Sequence, residues 1–236
     1  MKRLRAYLLI DPLIVLATLV FGTMSLAASA FDKSGRTQHA LARVWARVLL
    51  KVSGVHVHVE GLEKLQPGAS YVLVANHRSY MDTPVVLAHI PLQFRFFAKQ
   101  GLFRIPLLGG HLRRAGHLPV VRGDPRASLK SVTAGARLIA DRSVSVLLFP
   151  EGGRSPAEMR EFKEGAAYLA IKAGVPAVPI GISGTRQVLP MGSALVQPRP
   201  VTLRIGDPIP TADLKPADRT ELNATLQKRV AELMAG

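Results

Sequence analysis

A histidine and a carboxylate five positions apart, His77 and Asp82 in the stretch NHRSYMD, follow directly on the apolar run Tyr71–Ala75 (YVLVA). The pair can be a general base whose tautomer is held by an acid, or simply a polar turn. On an unbroken helix, residues five apart face directions about 140° apart and do not touch. Thr83-Pro84 predicts a helix that starts at Pro84 with Thr83 as its cap, because proline suits the first helical position. Residues 76–82 then form the turn before that helix, where the chain can fold Asp82 back onto the ring of His77. The carboxylate would hold one ring N–H and leave the other nitrogen's lone pair for chemistry. His39, His56, His58, His89, His111 and His117 read as structural, and His56 with His58 lacks a third ligand, so no metal site is expected.

Other chemistries lack their residues. The chain has no cysteine, which removes disulfides, thiolate metal sites and a thiol nucleophile. Gly181–Thr185 (GISGT) fails the G-x-S-x-G pattern at its last position, and neither H-E-x-x-H nor a Gly-rich P-loop is present. With no nucleophile motif to support a covalent intermediate, base-assisted attack by a substrate hydroxyl is the simplest chemistry left.

The elements that must position this pair follow from periodicity. Val55–Glu60, Tyr71–Ala75, Phe94–Ala98, Leu118–Val121, Val144–Phe149, Ala177–Ile182 and Val201–Ile205 read as strands. Pro84–His89, Ala127–Ala140, Gly165–Ala173 and Pro216–Met234 read as helices. Alternation of the two predicts an α/β domain with a mixed, largely parallel sheet flanked by helices. The polar residues gather in loops after strands, as α/β folds place their chemistry: NHRSYMD, GHLPVVR and FPEGGRSP.

The first fifty residues differ. MKRLR precedes an apolar run, and Asp11-Pro12 is expected to interrupt it. Leu13–Phe31 then offers 19 uncharged residues, about 28 Å of helix against a hydrocarbon core of about 30 Å. A spanning anchor, a re-entrant insertion and a cleaved signal peptide ending at Ala28-Ser29-Ala30 are the three readings, with anchor or insertion favoured. Thr37–Val52 carries Leu41, Val44, Val48 and Leu49 beside Arg43, Arg47 and Lys51, the pattern of an interfacial helix or of one packed on the domain. Residues 1–53 are therefore expected to form a membrane anchor with an amphipathic helix, and 54–236 a catalytic domain, with Gly35 and Gly54 as joints. Lys and Arg total 31 against 16 Asp and Glu, which favours an anionic membrane surface or a phosphorylated substrate. Only 6% of residues are aromatic and no nucleic-acid motif is present, so no nucleic-acid partner is expected.

Four blocks in order, over roughly residues 70–185, resemble the lysophospholipid acyltransferase family, typified by 1-acylglycerol-3-phosphate acyltransferase. They are NHRSYMD, Gly101–Arg122 (GLFRIPLLGGHLRRAGHLPVVR), FPEGGRS at Phe149–Ser155 and Val175–Thr185 (VPAVPIGISGT). The resemblance implies transfer of a fatty acyl group from acyl-CoA or acyl carrier protein to a hydroxyl of a phosphorylated lipid, with no cofactor beyond that co-substrate. His77 would take the proton, Asp82 would orient it, and Glu151, Arg154 and Arg122 would hold the acceptor. Residue chemistry agrees: arginine's planar fork suits phosphate, Glu151 can fix an arginine or accept a hydroxyl, and Gly152 allows close backbone approach. Lys99 is a further phosphate candidate, and backbone N–H groups near Asn76 or Gly152 are candidate oxyanion donors. Gly153 departs from the family's usual threonine. Lyso-ornithine lipid or glycerol 3-phosphate are alternative acceptors, and a non-catalytic lipid-binding protein is the alternative class. The expected place is a membrane, at the cytoplasmic face of the inner membrane.

Overall fold

The computed structural model describes residues 6–121, 123–154, 158–193 and 195–236. Its helices are Asp11–Ala28 (α1), Arg36–Ser53 (α2), Asp82–His89 (α3), Leu108–Arg114 (α4), Pro125–Arg142 (α5), Gly165–Ala173 (α6), Thr185–Val188 (α7) and Arg219–Ala235 (α8). Between them run Val57–Glu60 (β1), Val72–Ala75 (β2), Phe94–Lys99 (β3), Leu118–Val120 (β4), Ser145–Leu148 (β5), Ala177–Ser183 (β6) and Val201–Ile205 (β7).

Among the described residues these strands form one sheet in the order β1-β7-β6-β2-β5-β3-β4. The five from β6 to β4 run parallel, while β7 is antiparallel to β6 and carries β1 alongside it in parallel. The mixed, largely parallel α/β architecture is therefore present, with strand ends within one or two residues of the sequence expectation. Period-two alternation explains the layers. Leu73 and Ala75 of β2 face a core made with α2 and α3, including Ala46, Leu49, Leu50, Val85 and Val86. Val72 and Val74 face the opposite core, made with α5, α6 and α8, including Val132, Leu169, Leu226 and Val230. Strands β2 and β5 are buried throughout, as central strands covered on both faces must be.

The consequence for the site is directional. The C-terminal ends of β2, β5, β3 and β4 open on one edge of the sheet, so the loops after them share that edge.

The N-terminus departs from expectation in one respect. Asp11-Pro12 does not break the helix: a π-helical turn at Ala6–Ile10 leads directly into α1, whose second residue is Pro12. Tyr7–Ala28 is thus one 22-residue helical stretch, long and apolar enough to cross a membrane, with only Ile10 and Ser25 buried. Helix α1 packs on α2, where the indole of Trp45 donates to Thr18 Oγ1 at 3.2 Å. Gly35 and Gly54 flank α2 in the left-handed region; at Gly35 a Cβ would lie 2.6 Å from the carbonyl oxygen of Ala115, so only glycine fits.

Of the expected stripe Leu41, Val44, Val48 and Leu49, only Leu49 belongs to the buried face of α2. That face is Gln38, His39, Ala46, Leu49, Leu50 and Ser53, while Val44 is exposed. Hydropathy misses that face because three of its members, Gln38, His39 and Ser53, are polar.

Candidate functional site

Helix α3 begins at Asp82, two residues before the expected start, and Thr83 does not cap it. Side chains close the loop before it instead. Asp82 Oδ2 accepts the backbone N–H of Arg78 at 2.7 Å and of Ser79 at 2.8 Å, and Ser79 Oγ accepts the N–H of Met81 at 3.2 Å. A carboxylate in the first helical turn also sits at the positive end of the helix dipole.

That same Oδ2 lies 2.8 Å from Nδ1 of His77. Asp82 is fully buried, and its Oδ2, already the acceptor of two backbone N–H groups, is an acceptor toward the ring as well. Nδ1 therefore carries the proton that bridges the pair, and Nε2 keeps its lone pair. Phe149 stacks on the imidazole with centroids 4.1 Å apart and planes inclined by 15°. The ring is thus fixed by a hydrogen bond at its edge and a phenyl group on its face.

The β5 loop supplies the rest. Glu151 is 4% exposed; its Oε1 accepts the backbone N–H of His77 at 2.6 Å and its Oε2 that of Arg160 at 3.0 Å. Burial pushes its carboxyl above the ordinary value, and the two backbone donors pull the other way. Glu151 thus ties the histidine loop to the β5 loop, and no arginine side chain meets it among the described residues. Gly152 has φ +70°, and a Cβ there would lie 3.2 Å from Cε of Lys163, so the lysine stem crosses the loop at this glycine. Arg154 stacks on the opposite loop, its Cζ 3.4 Å from the centroid of Tyr80.

His77, Asp82, Glu151, Gly152 and Arg154 are therefore brought into one cluster. Lys99 ends β3 on the same edge and is exposed; β3 is two strands from β2, about 10 Å along the edge. Arg122 and Ser155 lie outside the described residues. Asn76 is turned away from the cluster. Its amide is fully buried, donating to the carbonyl of Ile182 at 2.9 Å and accepting its N–H at 2.7 Å, one further rung on the β2–β6 ladder. The expected oxyanion donors are also engaged: the N–H groups of His77, Arg78 and Ser79 go to carboxylates and that of Gly152 to the carbonyl of Phe149.

Sequence reasoning missed Tyr80, Phe149 and Lys163. The first two sit inside the motifs already quoted, as aromatics beside a histidine and an arginine, which is a readable signal. Lys163 has none, because its approach to Gly152 depends on the loop fold.

Comparison with known proteins finds relatives over most of the chain. The acyltransferase family model covers residues 56–183, more than half of the chain. A 1-acyl-sn-glycerol-3-phosphate acyltransferase of Chlamydomonas reinhardtii is 35% identical, over 89% of this chain and 64% of that protein. A protein of the same name from Streptococcus pneumoniae is 31% identical, over 71% of this chain and 61% of that one. A chloroplastic relative from Arabidopsis thaliana is 35% identical, over 66% of this chain and 43% of its own length. The chain thus spans less than two thirds of each of these relatives. The crystal structure of a 1-acyl-sn-glycerophosphate acyltransferase from Thermotoga maritima superposes with a TM-score of 0.83 at 25% identity, covering 100% of this chain and 97% of that one. The chain belongs to the acyltransferase family.

Proposed function

We propose that the chain transfers a fatty acyl group from acyl-CoA or acyl carrier protein to the free hydroxyl of 1-acylglycerol 3-phosphate, giving phosphatidic acid. The names of its relatives support this acceptor, and the geometry supports the mechanism. The observation that carries it is the pair His77–Asp82, 2.8 Å apart, with Asp82 itself held by two backbone donors.

In this reading Nε2 of His77 takes the proton of the acceptor hydroxyl as its oxygen attacks the thioester carbonyl. The tetrahedral intermediate collapses with cleavage of the carbon–sulfur bond, and the imidazolium returns the proton to the leaving thiolate. A positioned base of this kind supplies about 10² to 10⁴ in rate. Arg154, held over Tyr80, and Lys163, across Gly152, provide positive charge beside the base for the acceptor's phosphate. Lys99 joins them from the end of β3, and Arg122, outside the described residues, is assigned the same role. Glu151 and Asn76 act as positioning residues. An anchored phosphate holds the hydroxyl near the base, where orientation itself adds rate.

Helix α1 supports a membrane location for this chemistry, where acceptor and product both reside, and we assign the domain to the cytoplasmic face of the inner membrane. Basic residues near that surface contribute roughly 1 kcal/mol each toward anionic lipid.

The test is acyl transfer by the purified full chain, with a labelled acyl thioester and three acceptors: 1-acylglycerol 3-phosphate, glycerol 3-phosphate and a lyso-ornithine lipid. The first is expected to be preferred; a preference for either of the others replaces the acceptor while keeping the reaction. His77→Ala is expected to abolish transfer and leave vesicle binding unchanged. Full activity in that variant removes the base assignment.

A further inference from the structure

Between the end of β3 and α4 the chain makes a projecting tip that the reaction does not use. Leu102, Ile105 and Leu108 are 36%, 46% and 39% exposed there. The tip is closed on itself: a 3₁₀ turn at Gln100–Arg104 is followed by α4, and the guanidinium of Arg113 donates to the carbonyl of Phe103. Gly109 permits this closure, since a Cβ there would lie 2.1 Å from that carbonyl oxygen. Exposed apolar side chains on such a fixed tip need a partner of their own kind.

The tip is locked to the last turns of α1. Leu107, a non-glycine residue at φ 63°, fits against Gly22, where a Cβ would come within 2.7 Å of its Cδ2. Leu26 packs over Gly110, where a Cβ would be 3.0 Å from its Cδ2, and Ser25 Oγ meets His111 Nδ1 at 2.7 Å. On α1 itself Leu13, Leu16, Leu19, Val20 and Met24 are exposed. The apolar surface of the helix therefore continues onto the tip. The charge around it has one sign: no acidic residue occurs between Asp82 and Asp124, whereas Lys99, Arg104, Arg113 and Arg114 are all exposed.

We propose that Leu102–Leu108 is a second membrane-inserting element, seated beside α1 in the same leaflet of an anionic bilayer with its basic rim at the headgroups. This rests on the reading that α1 meets the membrane. It sets the depth of the domain, because the tip is continuous with Lys99 at the edge of the site. A lipid acceptor then enters sideways from the leaflet at the level of the cationic cluster.

The chain's lack of cysteine makes the test direct. Single-cysteine variants Leu16→Cys, Ile105→Cys, Leu108→Cys and Lys228→Cys of the full chain are labelled with an environment-sensitive fluorophore. Each is mixed with phosphatidylglycerol vesicles carrying a nitroxide-labelled lipid. Positions 16, 105 and 108 are expected to shift to the blue and be quenched, while 228 on α8 stays in water. Quenching at 16 with 105 and 108 behaving like 228 overturns the tip and leaves the anchor standing; no quenching at 16, 105 or 108 overturns both. Combining Leu102→Ser, Ile105→Ser and Leu108→Ser should weaken partitioning into the same vesicles by roughly tenfold or more, and an unchanged partition also overturns the proposal. Equal binding of the parent chain to phosphatidylcholine vesicles removes the anionic rim from it.

Discussion

Two buried polar regions of this molecule are built on opposite terms. In the cluster around His77, each buried carboxylate and the buried amide holds two backbone groups: Asp82 those of Arg78 and Ser79, Glu151 those of His77 and Arg160, Asn76 both of Ile182, and of their oxygens only Oδ1 of Asp82 lacks a partner among the described residues. Beneath α2 and α4 the buried polar groups find fewer partners. Among the described residues neither ring nitrogen of His39 has a hydrogen-bond partner, nor has Nε of Arg95 or Oε1 of Gln38. At His39 burial and like charge then act with no hydrogen bond to offset them. His39 is held at about 3 by desolvation and by Arg95 and Arg43, and His111 at about 4 by desolvation and Arg95. His117 is pushed well below its usual value by burial, then by His111, Arg95 and His39; its Nδ1 accepts the N–H of Phe96 at 2.9 Å. Burial with partners fixes geometry; burial without them makes stability depend on pH.

The comparison is broken most sharply at Asp82. Asp82→Asn keeps the size but no longer demands a proton on Nδ1, and it cannot serve the two backbone donors as a charge. Turnover in the labelled-thioester assay is expected to fall by roughly 10³-fold or more. A variant within tenfold of the parent would show that the tautomer is not held from this side. Glu151→Gln comes next. An amide accepts through one oxygen, so either His77 or Arg160 loses its partner; turnover should drop about ten- to a hundredfold and stability by about 1–3 kcal/mol. An unchanged melting temperature would mean that the loop tie is dispensable.

What was legible in the sequence follows the same division. The seven strands were readable because runs such as YVLVA are apolar and bounded by turns, and the two-faced burial of β2 agrees with that pattern. The folding of Asp82 onto His77 was readable from spacing and Pro84, although the helix starts two residues earlier, at Asp82 itself. Helix α4 was not readable: PLLGGHLRR carries a proline and two glycines, and its fold depends on contacts with Phe103, Gly22 and Leu26 distant in sequence. The inward face of α2 was hidden for a related reason, since Gln38 and His39 are buried by tertiary packing that overrides their polarity. Asn76 looked like a site residue because it precedes His77, and only the β2–β6 register shows that its amide belongs to the sheet.

Two smaller effects sharpen the comparison. Arg154→Ala removes a cation from the edge of the partnered cluster and leaves the base in place. It is expected to raise the apparent KM for the phosphorylated acceptor about tenfold, or about 1.4 kcal/mol, with little change in kcat. A loss confined to the acyl donor would put that guanidinium on the other substrate.

The last test addresses the unpartnered region alone. The folded pKa of His39 lies below the unfolded value of 6.5, so the folded chain refuses a proton that the unfolded chain accepts. The associated stability is present above pH 6.5 and is lost as the pH falls from there toward about 3. Near pH 5 this single group is expected to have cost on the order of 2 kcal/mol, with His111 and His117 acting in the same direction. His39→Leu removes the titration and a buried pair of unpartnered nitrogens together, while its edge-on packing against Phe94 is kept only in part. The variant should therefore match the parent within about 1 kcal/mol at pH 7.5 and melt progressively higher than it as the pH is lowered to 5, with acyl transfer at neutral pH unaltered. Parallel melting curves across that range would mean that His39 is relieved by a partner or by movement of α2, and the contrast between the two regions would shrink to one of geometry.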